Sequence, residues 1–217
     1  MNLNIFTLYP DYFISPFNFG ILKKALSEKL VNINVINLRE FAYDKRGSVD
    51  DTPYGGGAGM VLRVDVLHRA LESVKSKNGF SIMLSPAGKR YNQKIARKLS
   101  VKKEINIFSG RFEGFDERFL NFVDMELSLG DFVLSGGESA SLVVIDSVVR
   151  LIPGVLGNEK SLDTESFSLG GLLEYPQYTK PKDFMGFGVP EVLLSGDHKK
   201  IDIWRKEKSL QKTKKRV

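Results

Sequence analysis

The sequence contains no cysteine and only two histidines, His68 and His198, among its 217 residues. Disulfides, thiolate nucleophiles and cysteine-based metal sites are therefore excluded, and so is a histidine-rich metal site. A bound metal ion would have to use oxygen ligands. The lack of cysteine also favours a cytoplasmic protein, because disulfides are rare in that compartment.

Long apolar runs are missing as well. No stretch reaches the roughly 18 apolar residues that a membrane-spanning helix requires, and the first ten residues lack the basic and apolar regions of a secretory signal. We therefore predict a cytoplasmic protein with no membrane partner. The glycine-rich phosphate-binding motifs of dinucleotide and P-loop proteins and the Gly-x-Ser-x-Gly elbow of serine hydrolases are also absent.

The positive charge is confined to one end of the chain. Residues 198–217 contain nine Lys or Arg and two acidic residues, a net +7, whereas the other 197 residues contain 23 basic and 24 acidic groups, a net −1. A basic end is either a solvated terminus or a surface for a phosphate backbone. Trp204 and Arg205 within it favour binding to a nucleic acid.

Short apolar runs alternate with helical patterns, which indicates a largely parallel α/β sheet. The predicted strands are Leu3–Leu8, Ile33–Leu38, Ser81–Leu84 and Ile105–Phe108. The predicted helices are Ile21–Leu30, Val66–Val74 with Asp65 as N-cap, Asn92–Leu99 and one from about Ser195 into the basic end. Residues 139–152 are too apolar for an exposed helix, so we expect them against the sheet or at a subunit interface.

Three loops rich in glycine stand where buried strands should end. They span residues 84–88, 109–114 and 130–138. Ligands of open α/β sheets bind just outside the carboxyl ends of the strands, and glycine lets backbone groups approach them closely. The loops therefore predict one pocket built mostly from backbone, suited to a ligand such as an adenosine moiety. The alternative is three ordinary strand-to-helix turns, which use the same residue types.

Several ordered motifs resemble one family over residues 3 to 213. They are VDDTPYGGGAGM at 49–60, LSP at 84–86, GRFEG at 110–114, GDFVLSGGE at 130–138, RLIPGVLG at 150–157, YPQYTKP at 175–181 and residues 192–205. Together they resemble the bacterial tRNA (guanine-N1)-methyltransferases of the SPOUT class. The resemblance implies an α/β fold with a parallel sheet, a deep trefoil knot and a small, mostly helical C-terminal domain.

This resemblance also implies a division of the chain and an activity. We expect a cofactor-binding knot domain at 1–157, a linker at 158–174 and a helical, basic tRNA-binding domain at 175–217, shorter than is usual for the family. The family transfers a methyl group from S-adenosylmethionine to N1 of the guanine immediately 3′ of the anticodon in tRNA. It acts as a homodimer whose active sites are shared between subunits, with an activity that depends on magnesium. The alternatives are another SPOUT-type RNA methyltransferase and a non-catalytic RNA-binding relative.

Motif by motif, the resemblance assigns binding residues. The expected contacts to the cofactor are Leu84, Ser85, Pro86, Gly88, Gly110, Glu113, Leu129, Gly130, Asp131, Phe132, Val133, Leu134, Gly136 and Gly137. The expected contacts to tRNA are Asp50, Tyr54, Gly55, Gly56, Gly57, His198, Arg205, Lys212, Lys214 and Lys215.

The catalytic pair implied by the resemblance is an arginine facing guanine O6 and a carboxylate that removes the N1 proton. The arginine is Arg150, whose other explanation is a charge that stabilises a helix end. The carboxylate position holds Glu165 where the family has aspartate, and in a shifted register Asp163 would be the base. A protein that only binds RNA would need neither group in a linker.

Overall fold

The computed structural model describes residues 1–74, 76, 79–157, 165–168 and 171–216. The chain divides into two compact units, Met1–Gly157 and Asn158–Val217. The first unit contains the main sheet, and the described part of the second contains a short hairpin and two helices.

The centre of the first unit is a five-stranded parallel sheet of order β2-β1-β6-β5-β7. The strands of this unit are β1 (Asn2–Thr7), β2 (Asn32–Asn37), β3 (Asp50–Asp51), β4 (Val61–Leu62), β5 (Gly79–Arg90), β6 (Glu104–Ser109) and β7 (Met125–Ser128). Because all five main strands are parallel, their carboxyl ends lie at one edge of the sheet. The predicted parallel α/β sheet is confirmed.

Helices cover both faces of this sheet, as buried parallel strands require. They are α1 (Ile14–Phe17), α2 (Gly20–Ser27), α3 (Val64–Val74), α4 (Gln93–Ser100) and α5 (Glu138–Val149). Buried side chains of α2, α4 and α5 form one apolar core with the sheet. Those of α3 form a second core on the opposite face, with the 3-10 helices at Leu38–Phe41 and Glu117–Phe122.

The apolar segment near the end of this unit forms α5. Its buried residues include Val144, Ile145, Val148 and Val149, which pack in the first core, while Val143 on its other side is half exposed. One face of the helix therefore lies against the sheet, as predicted.

Two strand predictions need correction. The strand expected to end at Leu84 continues to Arg90, and its pairing with β7 shifts register between Leu84 and Lys89. Residues 85–88 are thus an irregularity inside a strand instead of a loop after it. Strand β7 itself was not predicted, because only four residues form it and the alternation in its sequence MELS is too short to stand out.

The predicted helix boundaries shift by a few residues. Helix α2 begins at Gly20, and the last helix begins at His198 instead of about Ser195. Asp65 lies inside the first turn of α3, where its carboxylate accepts a hydrogen bond from the Val66 N–H at 3.0 Å.

A glycine-rich loop at residues 52–60 joins β3 to β4, which pair antiparallel. Its glycines at 55, 56, 57 and 59 all adopt positive φ, a region that other residues rarely occupy. The end of the loop is attached to the GRFEG segment: the Glu113 N–H donates to Met60 O at 2.9 Å, and the Leu62 N–H donates to Gly114 O at 2.9 Å.

The second unit contains β8 (Asp183–Phe184), β9 (Phe187–Gly188), α6 (Glu191–Leu194) and α7 (His198–Lys214). Aromatic contacts pack helix α7 against the segment that contains Tyr175 and Tyr178. Arg205 lies 4.8 Å from the ring centre of Tyr175, and the rings of Tyr178 and Trp204 are 6.3 Å apart. The Leu173 N–H also donates to Thr213 Oγ1 at 2.8 Å.

Gly88 provides a test of the packing between β5 and β7. A Cβ at this position would overlap the backbone nitrogen of Leu127 and lie 2.6 Å from the carbonyl carbon of Glu126. We expect Gly88→Ala to lower the free energy of unfolding by about 1–3 kcal/mol, because neither backbone can move easily. Urea unfolding would measure the change.

Gly157→Ala is the matched control, since a Cβ there meets no atom within 4 Å. Its effect should stay within about 0.5 kcal/mol. An equal effect of both substitutions would contradict the close approach of the two strands.

Candidate functional site

A cavity of about 350 Å³ opens at the carboxyl edge of the sheet. Three segments form its wall, namely residues 83–87 of β5, residues 110–115 after β6 and residues 126–137 from β7 to the start of α5. Cavities that bind small molecules have similar volumes and positions in α/β sheets. The predicted convergence of three glycine-containing segments on one cavity is therefore observed.

Glycine allows these segments to pack backbone against backbone. The Gly137 N–H donates to Gly110 O at 2.8 Å. A Cβ on Gly137 would lie 2.6 Å from Gly110 N and 2.7 Å from Ser109 Cα, and a Cβ on Gly110 would lie 2.8 Å from the Phe115 ring. No larger residue fits either position unless the wall moves.

A buried carboxylate connects the same segments through side chains. Glu138, at the start of α5, is only 1% exposed and accepts a hydrogen bond from Thr7 Oγ1 at 2.7 Å. Its other oxygen lies 2.8 Å from Arg111 Nη2. Arg111 also donates a hydrogen bond to the Ser135 carbonyl at 3.0 Å, and its guanidinium carbon lies 4.4 Å from the centre of the Tyr9 ring. A buried charge is tolerated because it is paired and hydrogen-bonded in this way.

Gly136 makes room for this ion pair. A Cβ there would overlap the Arg111 guanidinium and lie 2.6 Å from Glu138 Oε2. The sequence Gly136-Gly137-Glu138 thus has one structural explanation: the first glycine admits the ion pair, the second admits the backbone of the neighbouring loop, and the glutamate supplies the charge.

Three further carboxylates, Glu113, Glu117 and Glu126, belong to residues that line the cavity. Glu126 accepts a hydrogen bond from Ser85 Oγ at 2.5 Å, and Ser85 Oγ accepts one from the Ala87 N–H at 3.0 Å. Since Arg111 is paired with Glu138, the lining is rich in negative charge. The cavity therefore suits a ligand that carries positive charge.

Most residues assigned to the cofactor line this cavity. They are Leu84, Ser85, Pro86, Gly110, Glu113, Leu129, Gly130, Phe132, Val133, Leu134, Gly136 and Gly137. Gly88 and Asp131 are not among the lining residues. Gly88 packs on the backbone of β7, and Asp131 is exposed beside Arg90, with 3.5 Å between carboxylate and guanidinium.

Sequence reasoning missed the contribution of β7. Glu126, Leu127 and Ser128 line the cavity, and Ser128 Oγ hydrogen-bonds both the N–H and the carbonyl of Gly130 at 3.2 Å. A recognisable signal was the alternation in Leu127-Ser128-Leu129 just before Gly130, which is typical of a short strand.

The two catalytic candidates that the structure describes belong to different units. Arg150 caps the C-terminus of α5 in the first unit, with its N–H donating to Asp146 O at 3.1 Å. Glu165 lies in the second unit, where its carbonyl accepts from the Ser168 N–H at 3.2 Å. Asp163 lies outside the described residues. The roles of all three remain predictions.

The residues assigned to tRNA are mostly accessible. Tyr54 is fully exposed, and a Cβ on Gly55 or Gly56 would meet no atom within 4 Å. Asp50 and Gly57 belong to the same region. In the second unit, four of the assigned residues of α7 and its C-cap are exposed, namely His198, Lys212, Lys214 and Lys215. Arg205 is the exception, since it is half buried on Tyr175 and lies 3.7 Å from Asp202.

Two carboxyl groups with lowered pKa values belong to structural ion pairs. A hydrogen bond from Arg63 lowers the pKa of Asp65, and one from Arg118 lowers the pKa of Asp116. Burial raises the pKa of Tyr91, whose hydroxyl lies 2.6 Å from Ser147 Oγ. None of these groups lines the cavity.

Two further features are absent from the described residues. No helix there combines the length and apolar character needed to cross a membrane. Within the same part of the chain, no group of three or more His, Cys, Asp or Glu residues is arranged to hold a metal ion.

The parallel sheet and the glycine-lined cavity at its carboxyl edge define an α/β ligand-binding protein. Comparison with known proteins identifies its family. Residues 1–217 match the family described as tRNA (Guanine-1)-methyltransferase TrmD, so the chain belongs to that family of methyltransferases. The family predicted from the sequence motifs is confirmed.

Individual relatives extend over nearly the whole chain. A tRNA (guanine-N(1)-)-methyltransferase of Carboxydothermus hydrogenoformans is 53% identical over 98% of this chain and 84% of its own length. One of Pelagibacter ubique is 55% identical over 94% of this chain and 90% of its own length. One of Mycoplasmopsis agalactiae is 50% identical over 98% of this chain and 93% of its own length.

The Arg111–Glu138 ion pair can be tested by a double-mutant cycle. We expect Glu138→Ala to lower the free energy of unfolding by about 3 kcal/mol, because it leaves Arg111 without its buried partner. The double variant with Arg111→Ala should be more stable than the sum of the two single effects predicts, by about 0.5–3 kcal/mol. Urea unfolding would supply all three values.

The exposed pair of Arg118 and Asp116 is the control for this cycle, with side chains 67% and 23% exposed. Arg118→Ala should cost no more than about 1 kcal/mol. Strict additivity of the two substitutions at Arg111 and Glu138 would contradict a direct interaction between them.

Proposed function

We propose that this protein transfers a methyl group from S-adenosylmethionine to N1 of the guanine immediately 3′ of the anticodon in tRNA. The observation that carries the proposal is the cavity formed by three glycine-containing segments, in a chain that matches one methyltransferase family throughout. The names of the relatives support the same substrate and the same atom.

The cavity fits S-adenosylmethionine in size and charge. Its volume, about 350 Å³, lies in the range of small-molecule sites. Glu113, Glu117 and Glu126 line it, and they complement the sulfonium and ammonium cations of this cofactor. Backbone groups of residues 84–86, 110–113 and 129–137 would hold the remaining polar atoms. When bound, the cofactor supplies an electrophilic methyl group.

The reaction requires the protein to remove a proton. Guanine N1 carries a proton at neutral pH, and it becomes a nucleophile toward the methyl group once the proton leaves. A carboxylate within hydrogen-bond reach can accept that proton, and a guanidinium near O6 would stabilise the negative charge that develops there. We assign the first role to Glu165, with Asp163 as the alternative, and the second role to Arg150.

A homodimer with shared active sites accords with the exposed apolar surface of the first unit. Ile14 is 60% exposed, Phe19 is 70% exposed and Val143 of α5 is 50% exposed. Tyr12 and Ser139 join this surface through their hydroxyls, which are 2.5 Å apart. Exposed apolar side chains are typical of protein interfaces, so we propose that a second copy of the chain covers these residues.

The proposal also includes further features that the resemblance to the family implies. We propose that the segments around the cavity form the deep trefoil knot and that residues 175–217 form the tRNA-binding domain. We also propose that the enzyme acts in the cytoplasm. The resemblance implies a requirement for magnesium, but the described residues offer no cluster that fits the ion, so no step is assigned to it.

Methyl transfer to an anticodon stem-loop transcript tests the activity. Labelled S-adenosylmethionine should methylate a transcript with guanine 3′ of the anticodon. A matched transcript with adenine at that position should react at least roughly 10²-fold more slowly, because its N1 lone pair would face the carboxylate without a hydrogen bond and its 6-amino group, a donor, would face the arginine. Equal labelling of both transcripts, or no labelling of either, would contradict the proposal.

The base is tested by two conservative variants. We expect Glu165→Gln to lower the single-turnover methylation rate by at least roughly 10²-fold, because a positioned general base contributes about that much. Binding of tRNA and cofactor should change little. The wild-type rate should rise with pH, since the reaction needs an ionised carboxylate or a partly ionised guanine.

Asp163→Asn is the matched control and should have a much smaller effect. If Asp163→Asn is instead the crippling change and Glu165→Gln is nearly silent, Asp163 is the base. Full activity of both variants would refute catalysis by a linker carboxylate in this protein.

A further inference from the structure

The hairpin of β8 and β9 carries an apolar tip that its own unit does not bury. Phe184 is 63% exposed, Met185 is 82% exposed and Phe187 is 81% exposed, the highest values for large apolar side chains in the described part of the second unit. Single exposed apolar residues are ordinary, but three within four positions form a surface.

The hairpin geometry fixes the two rings beside each other. Phe184 and Phe187 are direct partners in the antiparallel register and flank a two-residue turn. Side chains of such partners lie on one face, with Cβ atoms about 4.5–5.5 Å apart. The turn is reinforced by the Gly186 N–H, which donates to Asp183 Oδ1 at 3.3 Å, and by the Val189 N–H, which donates to Lys182 O at 2.9 Å.

Met185 occupies a backbone position that does not favour methionine. Its φ is 54° and that of Gly186 is 84°, so both central residues of the turn are left-handed. Such turns select Gly, Asn or Asp, because a large side chain is strained there. Strained residues that no core contact requires are typical of functional surfaces. The methionine therefore points to a role for the apolar tip outside the fold.

The charge around the hairpin indicates what binds it. Exposed Lys180 and Lys182 directly precede it. Residues 171–216 contain 11 Lys or Arg and six acidic residues. Lysine is depleted where proteins bind one another, whereas aromatic rings beside basic side chains are typical of surfaces that bind single-stranded nucleic acid. The surroundings thus favour RNA over an apolar protein surface.

We propose that the hairpin tip stacks on unpaired nucleotides of the RNA substrate. Phe184 and Phe187 contact base faces, Met185 extends the apolar contact, and Lys180 and Lys182 approach the adjoining phosphates. Unpaired bases are required, because the base faces in a duplex are already stacked. The inference rests on the proposed function, since it names a binding element for the same RNA.

The test measures the affinity of the full chain for a tRNA transcript at fixed salt. Double substitution of Phe184 and Phe187 to Ala should weaken binding by at least about 5-fold, the lower end for the loss of one stacked base. Double substitution to Leu should weaken it similarly, because Leu is apolar but has no ring face. Double substitution to Tyr should retain affinity within about 2-fold, because the ring remains.

The salt dependence of tRNA affinity distinguishes base stacking from contacts between charged groups. The three double variants should keep the wild-type slope of affinity against salt, whereas a variant that reverses Lys212, Lys214 and Lys215 should flatten it. Val101→Ala removes an apolar side chain that is 80% exposed in the first unit and should leave affinity unchanged.

Three outcomes would overturn the stacking role: unchanged affinity of the Ala variant, wild-type affinity of the Leu variant, or a change in the oligomeric state of the RNA-free Ala variant by sedimentation. Wild-type affinity of the Leu variant would indicate that the tip makes only apolar contacts. A change in oligomeric state would indicate that the tip binds a second copy of the chain. Failure of the proposed function can be distinguished from failure of the stacking role, because the wild type would then not methylate the stem-loop. A wild type that binds no tRNA would overturn both.

Discussion

The buried carboxylate of Glu138 is the constraint on which the candidate site depends. It lies at the start of α5 and is bonded to the end of β1 through Thr7 and to the loop after β6 through Arg111. A charge that is 1% exposed must be compensated, and here its partners come from separate parts of the sheet edge. The charge therefore fixes the spacing of the loops around the cavity before any ligand contributes.

This constraint explains why a cavity lined largely by backbone needs so many specific residues. Gly136 and Gly137 leave no room for a Cβ, since one faces the ion pair and the other faces the backbone of residues 109–110. Open backbone groups then remain available to a ligand, while the side chains that line the cavity supply negative charge. Substitution of either glycine would disturb the wall itself, so its effect on ligand binding would be indirect.

The sequence was sufficient for the parallel sheet, for its alternation with helices and for the convergence of three loops, because apolar periodicity and glycine positions depend on local chain properties. It was insufficient for β7 and for the continuation of β5 to Arg90. Both depend on long-range pairing between Ile82–Arg90 and residues 125–128, for which the short alternation at 125–129 is only a weak local signal. Glu126 was missed for the same reason, since it reaches the cavity only through β7.

The ion pair between Arg111 and Glu138 was also not predicted from the sequence. Arg111 and Glu138 stand 27 positions apart and appeared as two motif residues with no stated relation. The motif assigned Glu113, Gly88 and Asp131 alike to the cofactor, but Glu113 lines the cavity whereas Gly88 and Asp131 do not. A motif records that a residue is required without telling whether a ligand or the fold requires it.

The residues with a proposed function are divided between the two units, and this division has a physical consequence. The cavity and Arg150 belong to the first unit, whereas Glu165, the basic helix α7 and the exposed hairpin belong to the second. Binding of a small cationic ligand can then depend on one set of contacts and recognition of RNA on another. Under the proposed function, substitutions in the second unit should separate RNA binding and proton removal from cofactor binding. If all of these residues packed in one core, substitutions would affect one another through shared contacts. RNA binding could then not be separated from cofactor binding.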